Sequence, residues 1–208
     1  MNKNFNKYPV TYSQSKRILD ITISTFAIII LSPLIAIITF AIKLNSSGPV
    51  IFRQERCGLH EQRFVMLKFR TMIEGAQNMG SGYELVKNDY RITRVGKFLR
   101  DNSFDEIPQL FNVIKGHMSL VGPRPMIQKQ VDKLNNQQRI RHATRPGITG
   151  WAQVNGRNSI SWGEKIRLDI WYVKNWNFWL DVKILLKTLS AVTRKDDLYG
   201  EDGVNKAF

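Results

Sequence analysis

The hydrophobic positions of this chain are concentrated in one long run near its amino terminus. From Ile21 to Ile42 no residue is charged, and Ile, Leu, Ala and Phe dominate. A run of about 22 residues is long enough to cross the hydrocarbon core of a bilayer as a helix. It is too long for the apolar region of a secretory signal peptide, and no small-residue cleavage site follows it. The pattern therefore predicts a segment that enters a membrane.

The middle of this run carries Ser32-Pro33. Proline removes a backbone hydrogen bond and bends a helix, and a serine hydroxyl can satisfy part of the backbone that is freed. Positive charge flanks both ends of the run, at Lys16 and Arg17 before it and at Lys43 after it, whereas a single span carries its positive excess on one side. A re-entrant hairpin of two half-helices and a kinked span both agree with these residues.

Beyond a turn-rich boundary at 46–49, β-branched and aromatic residues dominate. Two such stretches, 50–54 and 63–70, are separated by residues 57–61, which include Gly58, and this pattern predicts a β-hairpin with a longer loop. The second stretch carries Lys68 and Arg70 two positions apart, on one face of the strand. Exposure to solvent is the simplest explanation of these two charges by themselves.

Helical patterns dominate the rest of the chain. They predict a short basic helix over 92–100, a helix over 107–114 that stops at Gly116, and a polar, exposed helix over 126–142. Two more helices follow, over 164–173 and from Trp176 onward. The last of these combines aromatic and basic residues, which fits either a membrane interface or packing against the protein's own core.

Two adjacent carboxylates, Asp105 and Glu106, lie where the helix over 107–114 is expected to begin. Helix capping by Ser103 or by Asp105 is the ordinary explanation of such a pair. Basic residues change that interpretation, since Arg100 precedes the pair and Arg124 follows it. An acidic pair among cations is a place where a divalent cation and a phosphate can meet.

Arg124 itself lies between two prolines in the motif Gly122-Pro123-Arg124-Pro125. The prolines restrict its backbone, which lowers the entropic cost of presenting a guanidinium group to a phosphate. A rigid turn explains the same motif. A second stretch rich in glycine and basic residues, at 145–158, includes Arg157, and its backbone N–H groups could line an anion site.

The composition narrows the class of partner. Lys and Arg number 31 against 17 Asp and Glu, which gives a net charge of +14 and implies nucleic acid, an anionic membrane or phosphorylated substrates. The chain has no nucleic-acid recognition motif, and the apolar run argues against that class. Cys57 is the single cysteine, so no intrachain disulfide can form and a reducing, cytosol-facing environment is favoured.

Several motifs in a fixed order resemble the monotopic phosphoglycosyl transferases, the bacterial sugar transferases that begin lipid-linked glycan assembly, in their small single-domain form. The motifs are Lys16-Arg17-Ile18-Leu19-Asp20, Ser32-Pro33, Lys68-Phe69-Arg70-Thr71-Met72, Ser103-Phe104-Asp105-Glu106-Ile107-Pro108-Gln109-Leu110, Ser119-Leu120-Val121-Gly122-Pro123-Arg124-Pro125, the stretch from Arg145 to Asn158, and Leu168-Asp169 with Tyr172-Val173. Their number and order make the resemblance specific. It covers the chain from Lys16 to about residue 187.

The resemblance implies a reaction in which a sugar-1-phosphate passes from a UDP-sugar to polyprenyl phosphate and UMP is released. By analogy the donor carries an N-acetylated amino sugar, with a hexose as the alternative. Asp105 is implied as the nucleophile that carries a covalent phosphosugar and as the ligand of Mg²⁺, with Glu106 as the supporting carboxylate. Five basic residues are expected to bind the substrates: Arg100, Arg124, Lys68, Arg70 and Arg157.

The resemblance also implies an α+β fold in four parts. A flexible amino terminus (1–15) precedes a re-entrant membrane helix-hairpin (16–47) that is broken at Ser32-Pro33. A cytosolic catalytic domain (48–195) then contains the small β-hairpin and helices with amphipathic faces at the membrane interface, and a loose tail (196–208) follows.

The expected location is the cytoplasmic face of the bacterial inner membrane, with a monotopic topology. The expected partners are a UDP-sugar, polyprenyl phosphate and inner-membrane lipid, without nucleic acid, and oligomerisation is left open. A non-catalytic protein that binds anionic membranes is the alternative from a different functional class.

Overall fold

A computed structural model of the protein describes residues 14–79, 85–86, 89–156, 159–193 and 204–205. Arg157 and the predicted flexible segment up to residue 13 lie outside the described residues. So does the predicted tail from 196, except for residues 204–205.

The chain folds into helices and short strands. In chain order they are α1 (Gln14–Asn45), β1 (Ile51–Cys57), β2 (Arg63–Phe69), β3 (Leu85–Val86), α2 (Arg94–Asp101), α3 (Gln109–Ile114), β4 (Ser119–Val121), α4 (Gln128–Val131), β5 (Gly147–Thr149), α5 (Trp151–Val154), α6 (Trp162–Asn175), α7 (Phe178–Thr193) and β6 (Val204–Asn205). Short 3₁₀ helices lie at Leu59–Glu61, Ala76–Asn78, Phe104–Glu106 and Gln138–Ala143. This mixture confirms the predicted α+β class.

The apolar run forms α1, a helix of 32 residues that continues through Pro33. Proline has no N–H group to donate to the carbonyl of Ile29, four residues earlier. The hydroxyl of Ser32 donates to that carbonyl instead, at 2.8 Å. The predicted break at Ser32-Pro33 is limited in the structure to the replacement of one backbone hydrogen bond. The helix continues through this position as a single element.

The surface of α1 is apolar and mostly uncovered. In the described part of the chain, α1 is the one helix that is long and apolar enough to cross a membrane. Large side chains such as Phe26 and Ile30 are exposed, Ile30 by 72%. Its buried residues are Asp20, Ser24, Ile38 and Ile42. An apolar surface of this size that the protein leaves uncovered is typical of contact with lipid.

The amino-terminal end of α1 is attached to the rest of the protein by polar contacts. The guanidinium group of Arg17 donates to the carbonyls of Val113 and Ile114, at 2.5 and 2.7 Å, and so satisfies the end of α3. The buried carboxylate of Asp20 accepts a hydrogen bond from the backbone N–H of Leu120 in β4, at 3.1 Å. These contacts fix the helix next to two elements that lead into the candidate site.

The carboxyl-terminal end of α1 is attached by apolar contacts. Ile38 and Ile42 are buried in one cluster with Phe69, at the end of β2, and Leu99, in α2. Both ends of α1 therefore contact the same body of the protein.

The predicted β-hairpin is confirmed. Ile51–Cys57 pairs antiparallel with Arg63–Phe69 along the full length of both strands. The free edge of β2 is covered by α3 through the side chain of Asn112, whose amide donates to the carbonyl of Val65 at 2.7 Å and accepts from the N–H of Leu67 at 2.9 Å. A single buried amide thus replaces a neighbouring strand and fixes α3 on the hairpin.

The glycine-rich stretch after residue 145 serves close backbone packing. β5 runs parallel to β4, and a Cβ atom added to Gly147 would lie only 2.1 Å from the backbone nitrogen of Gly122. The N–H of Gly147 donates to the carbonyl of Pro123 at 3.0 Å. One of the N–H groups that the sequence suggested for an anion site is therefore already used within the fold.

The polar, exposed helix predicted over 126–142 is wrong. Gln128–Val131 is its only α-helical part, and a separate 3₁₀ helix begins at Gln138. Asn135 and Gln138 each accept the other's backbone N–H with a side-chain oxygen, at 2.9 Å, which fixes a turn between the two helices. As a result, Arg141 and His142 are buried rather than exposed.

Candidate active site

The acidic pair lies in the 3₁₀ helix Phe104–Glu106, between α2 and α3. The capping roles predicted for Ser103 and Asp105 are wrong, because neither side chain makes a capping hydrogen bond and α3 begins only after Pro108. Ser103 instead has a φ angle of 57°, in the left-handed region that disfavours residues other than glycine. A strained residue two positions before a pair of carboxylates is characteristic of a functional turn.

Lys68 connects the two carboxylates. Its ammonium nitrogen lies 3.2 Å from Oδ2 of Asp105 and 2.7 Å from Oε1 of Glu106, and all three side chains are largely buried. Simple exposure to solvent is therefore the wrong explanation for Lys68. A cation shared by two adjacent carboxylates reduces the repulsion between them.

Arg124 is the second cation at the acidic pair and binds Glu106. Its Nη2 atom lies 2.8 Å from Oε1 of Glu106, and its side chain is 53% exposed. Glu106 therefore binds both cations with one oxygen. Oδ1 of Asp105 and Oε2 of Glu106 accept no hydrogen bond from any residue that the structure describes. The two carboxylates differ in how many of the described cations they bind, which is one for Asp105 and two for Glu106.

The charges around Glu106 set its protonation state. Burial by itself raises the pKa of Glu106, but the charges of Arg124 and Lys68, and the hydrogen bonds from them, hold that pKa well below its ordinary value. The pKa of Arg124 is raised in turn, chiefly by Glu106. At neutral pH the two groups thus form a fixed ion pair.

The structure brings Lys68 and Arg124 to the acidic pair, but its contacts place two other predicted residues elsewhere. Arg70 is buried and donates from Nη2 to the carbonyl and hydroxyl of Ser46, at 2.8 and 3.0 Å, beside the end of α1. Arg100 donates from Nε to the hydroxyl of Thr71 at 2.8 Å. Arg157 lies outside the described residues. The substrate-binding roles of these three arginines stay predictions.

The donor set at the site consists of carboxylate oxygens, which suit hard divalent cations. Among the described residues, no group of three or more His, Cys, Asp or Glu could hold a metal. Two carboxylates with an open oxygen on Asp105 do not make a closed structural site. They suit Mg²⁺, which takes one or two carboxylates and completes its shell with water and substrate phosphates.

Sequence reasoning missed two residues that organise the site. Asn112 fixes α3 against the strand that carries Lys68. Its position within an apolar helical face is the sequence signal for this role, because a buried amide needs hydrogen-bond partners. Arg141 donates to the backbone carbonyl of Arg124 at 2.8 Å. The helix predicted over 126–142 concealed this contact, because that helix was expected to be exposed.

The chain resembles known proteins over most of its length. Residues 11–195 match the family described as bacterial sugar transferase. A Bacillus subtilis protein named "Uncharacterized sugar transferase EpsL" is 45% identical over 177 residues, which cover 85% of this chain and 86% of that protein.

Two longer relatives are named for specific reactions. The UDP-glucose:undecaprenyl-phosphate glucose-1-phosphate transferase of Klebsiella pneumoniae is 43% identical over 182 residues. The undecaprenyl-phosphate galactose phosphotransferase of Salmonella typhimurium is 39% identical over 199 residues. These matches cover 84% and 88% of this chain but only 39% and 41% of the two relatives. Because the family match spans nearly the whole chain, the protein belongs to the bacterial sugar transferase family.

Proposed function

We propose that the protein transfers a sugar-1-phosphate from a UDP-sugar to polyprenyl phosphate, forming a polyprenyl-diphospho-sugar and releasing UMP. Two relatives carry a transfer to undecaprenyl phosphate in their names. The observation that carries the proposal is the division of labour in the acidic pair. Glu106 binds both Lys68 and Arg124, while Asp105 binds Lys68 alone among the described residues and leaves Oδ1 without a hydrogen bond from them. A carboxylate with an open oxygen, held beside two cations, suits an attack on a diphosphate.

The reaction then has two displacement steps. In the first, an oxygen of Asp105 attacks the β-phosphorus of the UDP-sugar. A bond forms between this oxygen and the phosphorus, the bond from the phosphorus to the bridging oxygen breaks, and UMP leaves with the electron pair. In the second, an oxygen of polyprenyl phosphate attacks the same phosphorus. The bond to Asp105 breaks and its carboxylate is restored.

Repulsion between a carboxylate and a diphosphate opposes the first step. Lys68 lowers the negative charge around Asp105, which lies 3.2 Å from its ammonium group. Arg124 uses Nη2 for Glu106, and because its side chain is half exposed, its other N–H groups can turn toward phosphate oxygens. The depressed pKa of Glu106 makes it a poor proton acceptor, which supports a role in orienting the two cations.

Asp105 is the residue that we assign to Mg²⁺. When it is bound, the ion would supply positive charge that offsets the repulsion between the carboxylate and the diphosphate. Treatment with EDTA is expected to abolish UMP release, and excess Mg²⁺ is expected to restore it. Full activity after EDTA treatment would contradict this assignment.

The identity of the donor sugar is a separate part of the proposal. The compact, single-domain form of the chain favours an N-acetylated amino sugar, by analogy alone. The names of the longer relatives favour the alternative, a hexose, because they specify glucose and galactose. A comparison of UMP release from UDP-N-acetylglucosamine, UDP-N-acetylgalactosamine, UDP-glucose and UDP-galactose at equal concentration decides between the two classes.

We further propose that α1 enters and leaves the membrane on its cytoplasmic face. A straight helix of 32 residues is about 48 Å long and would place its ends on opposite sides of a bilayer. Both ends of α1 contact the same body of the protein, Arg17 through α3 and Ile42 through the cluster with Phe69. This arrangement supports a re-entrant, monotopic topology.

The aromatic helices support the same placement. On α7, Leu180 and Ile184 are buried in the core, while Trp179 and Leu189 are exposed, Trp179 by 74%. The helix therefore packs on the protein with one face and presents apolar side chains on another. Aromatic side chains of this kind lie at the depth of lipid headgroups in membrane proteins.

The nucleophile is tested with Asp105→Asn, in detergent or nanodiscs. Wild-type protein incubated with UDP-sugar but without lipid is expected to release up to one equivalent of UMP and to gain the mass of a sugar phosphate. Asp105→Asn is expected to do neither. Asp132→Asn is the matched control, because Asp132 is exposed and accepts a hydrogen bond only from Gln128 among the described residues. Full activity of Asp105→Asn would reject the covalent mechanism.

The wild-type assay also tests the proposed function itself. A folded wild-type protein that releases no UMP from any donor, with polyprenyl phosphate present, would favour the non-catalytic protein that binds anionic membranes. The topology is tested by labelling single cysteines introduced as Asn2→Cys and His60→Cys in a Cys57→Ser background. Finding the two positions on opposite sides of the membrane would reject the re-entrant arrangement.

A further inference from the structure

The turn that presents Arg124 is attached to the fold through its carbonyl oxygens. The carbonyl of Pro123 accepts a hydrogen bond from the N–H of Gly147 at 3.0 Å. The carbonyl of Arg124 accepts one from Nη2 of Arg141 at 2.8 Å. The two prolines have no N–H group to donate, so they can be held only through their carbonyls, and that of Pro125 accepts from Nη1 of Arg56 at 3.3 Å. The N–H of Gly122 donates to the carbonyl of Thr149 at 2.9 Å. Arg141 is thus the side chain that holds the backbone of Arg124 itself.

Arg141 belongs to a buried ion pair. Its Nε and Nη2 atoms donate to Oδ2 of Asp169, at 3.1 and 2.6 Å, and both side chains are only 3% exposed. The other oxygen of Asp169 is buried and accepts no hydrogen bond from the described part of the chain. Burial raises the pKa of Asp169, against the opposing effect of Arg141.

A pair of this kind adds little to the stability of a fold. The cost of removing two charges from water offsets most of their attraction, and apolar residues of similar size stabilise a core equally well. The incomplete pairing of Asp169 increases that cost. Apolar residues could not supply the N–H group that Arg141 donates to the carbonyl of Arg124. The geometry of this pair therefore serves the turn.

We propose that Arg141 and Asp169 are positioning residues for Arg124. The carboxylate of Asp169 orients the guanidinium group of Arg141, which fixes the backbone from which Arg124 reaches Glu106. The side chain of Arg124 is half exposed whereas Glu106 is largely buried, so the geometry of their ion pair depends on where the backbone of Arg124 is held. The kinetic consequence of this inference rests on the proposed function.

The first test measures the position of Arg124 without any turnover. Folded protein is treated with phenylglyoxal, which modifies accessible arginine side chains, and the rate at Arg124 is followed by peptide mass mapping. In Asp169→Asn we expect modification of Arg124 to be about fivefold faster than in the wild type, the factor that corresponds to a loss of about 1 kcal/mol of pairing with Glu106. Asp132→Asn is the control and is expected to match the wild type.

The second test uses a double-mutant cycle on UMP release. Asp169→Asn is expected to lower kcat about tenfold with KM within about twofold of the wild type, and Asp169→Glu is expected to recover most of the loss. In an Arg124→Ala background, Asp169→Asn is expected to cause no further loss, because the residue through which it acts is gone. An equal loss in both backgrounds would assign Asp169 a purely structural role and overturn the proposal.

Arg141→Lys is the second variant, since it keeps the charge but loses the planar fork that serves Asp169 and the carbonyl of Arg124 together. It is expected to reproduce both effects of Asp169→Asn at a thermal unfolding midpoint close to that of the wild type. If both variants fail to fold, the pair is structural and the proposal is rejected. If the wild type releases no UMP, the proposed function fails, and the rate of modification at Arg124 still decides the positioning role.

Discussion

The two ends of α1 contact the same body of protein through different chemistry. At the amino-terminal end, Lys16 forms a salt bridge with Asp181, and Arg17 and Asp20 bind backbone groups of α3 and β4. At the carboxyl-terminal end, Ile38 and Ile42 pack in an apolar cluster, and hydrogen bonds form where the helix ends, from the N–H of Val95 to Asn45 and from Arg70 to Ser46. Charged side chains of α1 itself therefore orient its start, whereas apolar packing predominates at its end.

The difference follows from the surroundings of a helix that meets lipid. Apolar side chains gain little by leaving lipid for protein, so packing alone selects weakly between positions of the helix. Hydrogen bonds from Arg17 and to Asp20 require defined distances and directions. The polar end thus sets where α3 and β4 lie. Along the chain, α3 follows Glu106 and β4 precedes Arg124. We expect the polar end to determine the geometry of the site and the apolar end to contribute mainly to stability.

The largest effect is expected at the polar end. Arg17→Met removes two charged hydrogen bonds to the carbonyls of Val113 and Ile114, and we expect the free energy of unfolding in detergent to fall by about 3 to 5 kcal/mol. The release of UMP should fall as well, because α3 is then loose at its end. Denaturant titration and the UMP assay measure the two effects.

Arg63→Met is the matched control for Arg17→Met. Arg63 pairs with Glu55 at an exposed surface, where an ion pair contributes less than about 1 kcal/mol. Equal losses in the two variants would remove the distinction between the polar end and an ordinary charged surface.

A smaller effect is expected at the apolar end. Ile42→Ala leaves a cavity beside Phe69 and Leu99, and we expect the free energy of unfolding to fall by about 2 to 3 kcal/mol while the KM for UDP-sugar stays unchanged. Ile30→Ala, on the exposed face of α1, is expected to change neither quantity. If KM changed more in Ile42→Ala than in Arg17→Met, the apolar end rather than the polar end would determine the geometry of the site.

Between the two ends, the hydrogen bond that Ser32 makes beside Pro33 is expected to contribute about 1 kcal/mol to the free energy of unfolding. Ser32→Ala removes the hydroxyl that donates to the carbonyl of Ile29, and that carbonyl then has no partner in an apolar environment. Ser24→Ala is the control, because the buried hydroxyl of Ser24 makes no hydrogen bond to any described residue. Thermal unfolding in one detergent compares the two. A loss in Ser24→Ala as large as in Ser32→Ala would contradict the role of the bond.

The smallest effect concerns pH. The pKa of Glu106 is depressed in the folded state, so its stabilising contribution is complete above its ordinary pKa and falls as the pH drops below that value. The stability difference between the wild type and Glu106→Gln should therefore shrink by less than about 1 kcal/mol between pH 7 and pH 4. Denaturant titrations at several pH values measure it. A difference that grows on acidification would contradict the pairing of Glu106 with Lys68 and Arg124.

The sequence by itself determined the elements whose pattern is local. Three of these features can be predicted from neighbouring residues, namely the apolar run that forms α1, the hairpin of β1 and β2, and the end of α3 before Gly116. The adjacency of Asp105 and Glu106 and the rigid turn around Arg124 are equally local. Hydropathy, side-chain period and backbone restriction act over a few residues, which is why they can be predicted from the chain alone.

Only the tertiary structure decided which charges meet. Lys68 and Arg70 are two residues apart, yet one binds the acidic pair and the other the end of α1. Arg141 was expected on an exposed helix and is buried against Asp169. Such pairs depend on how distant segments pack, since a buried charge is tolerated only where a partner from elsewhere in the chain satisfies it. The two carboxylates and the two cations of the site could be identified in the sequence, but the fold decided that Glu106 pairs with two cations and Asp105 with one of the described ones.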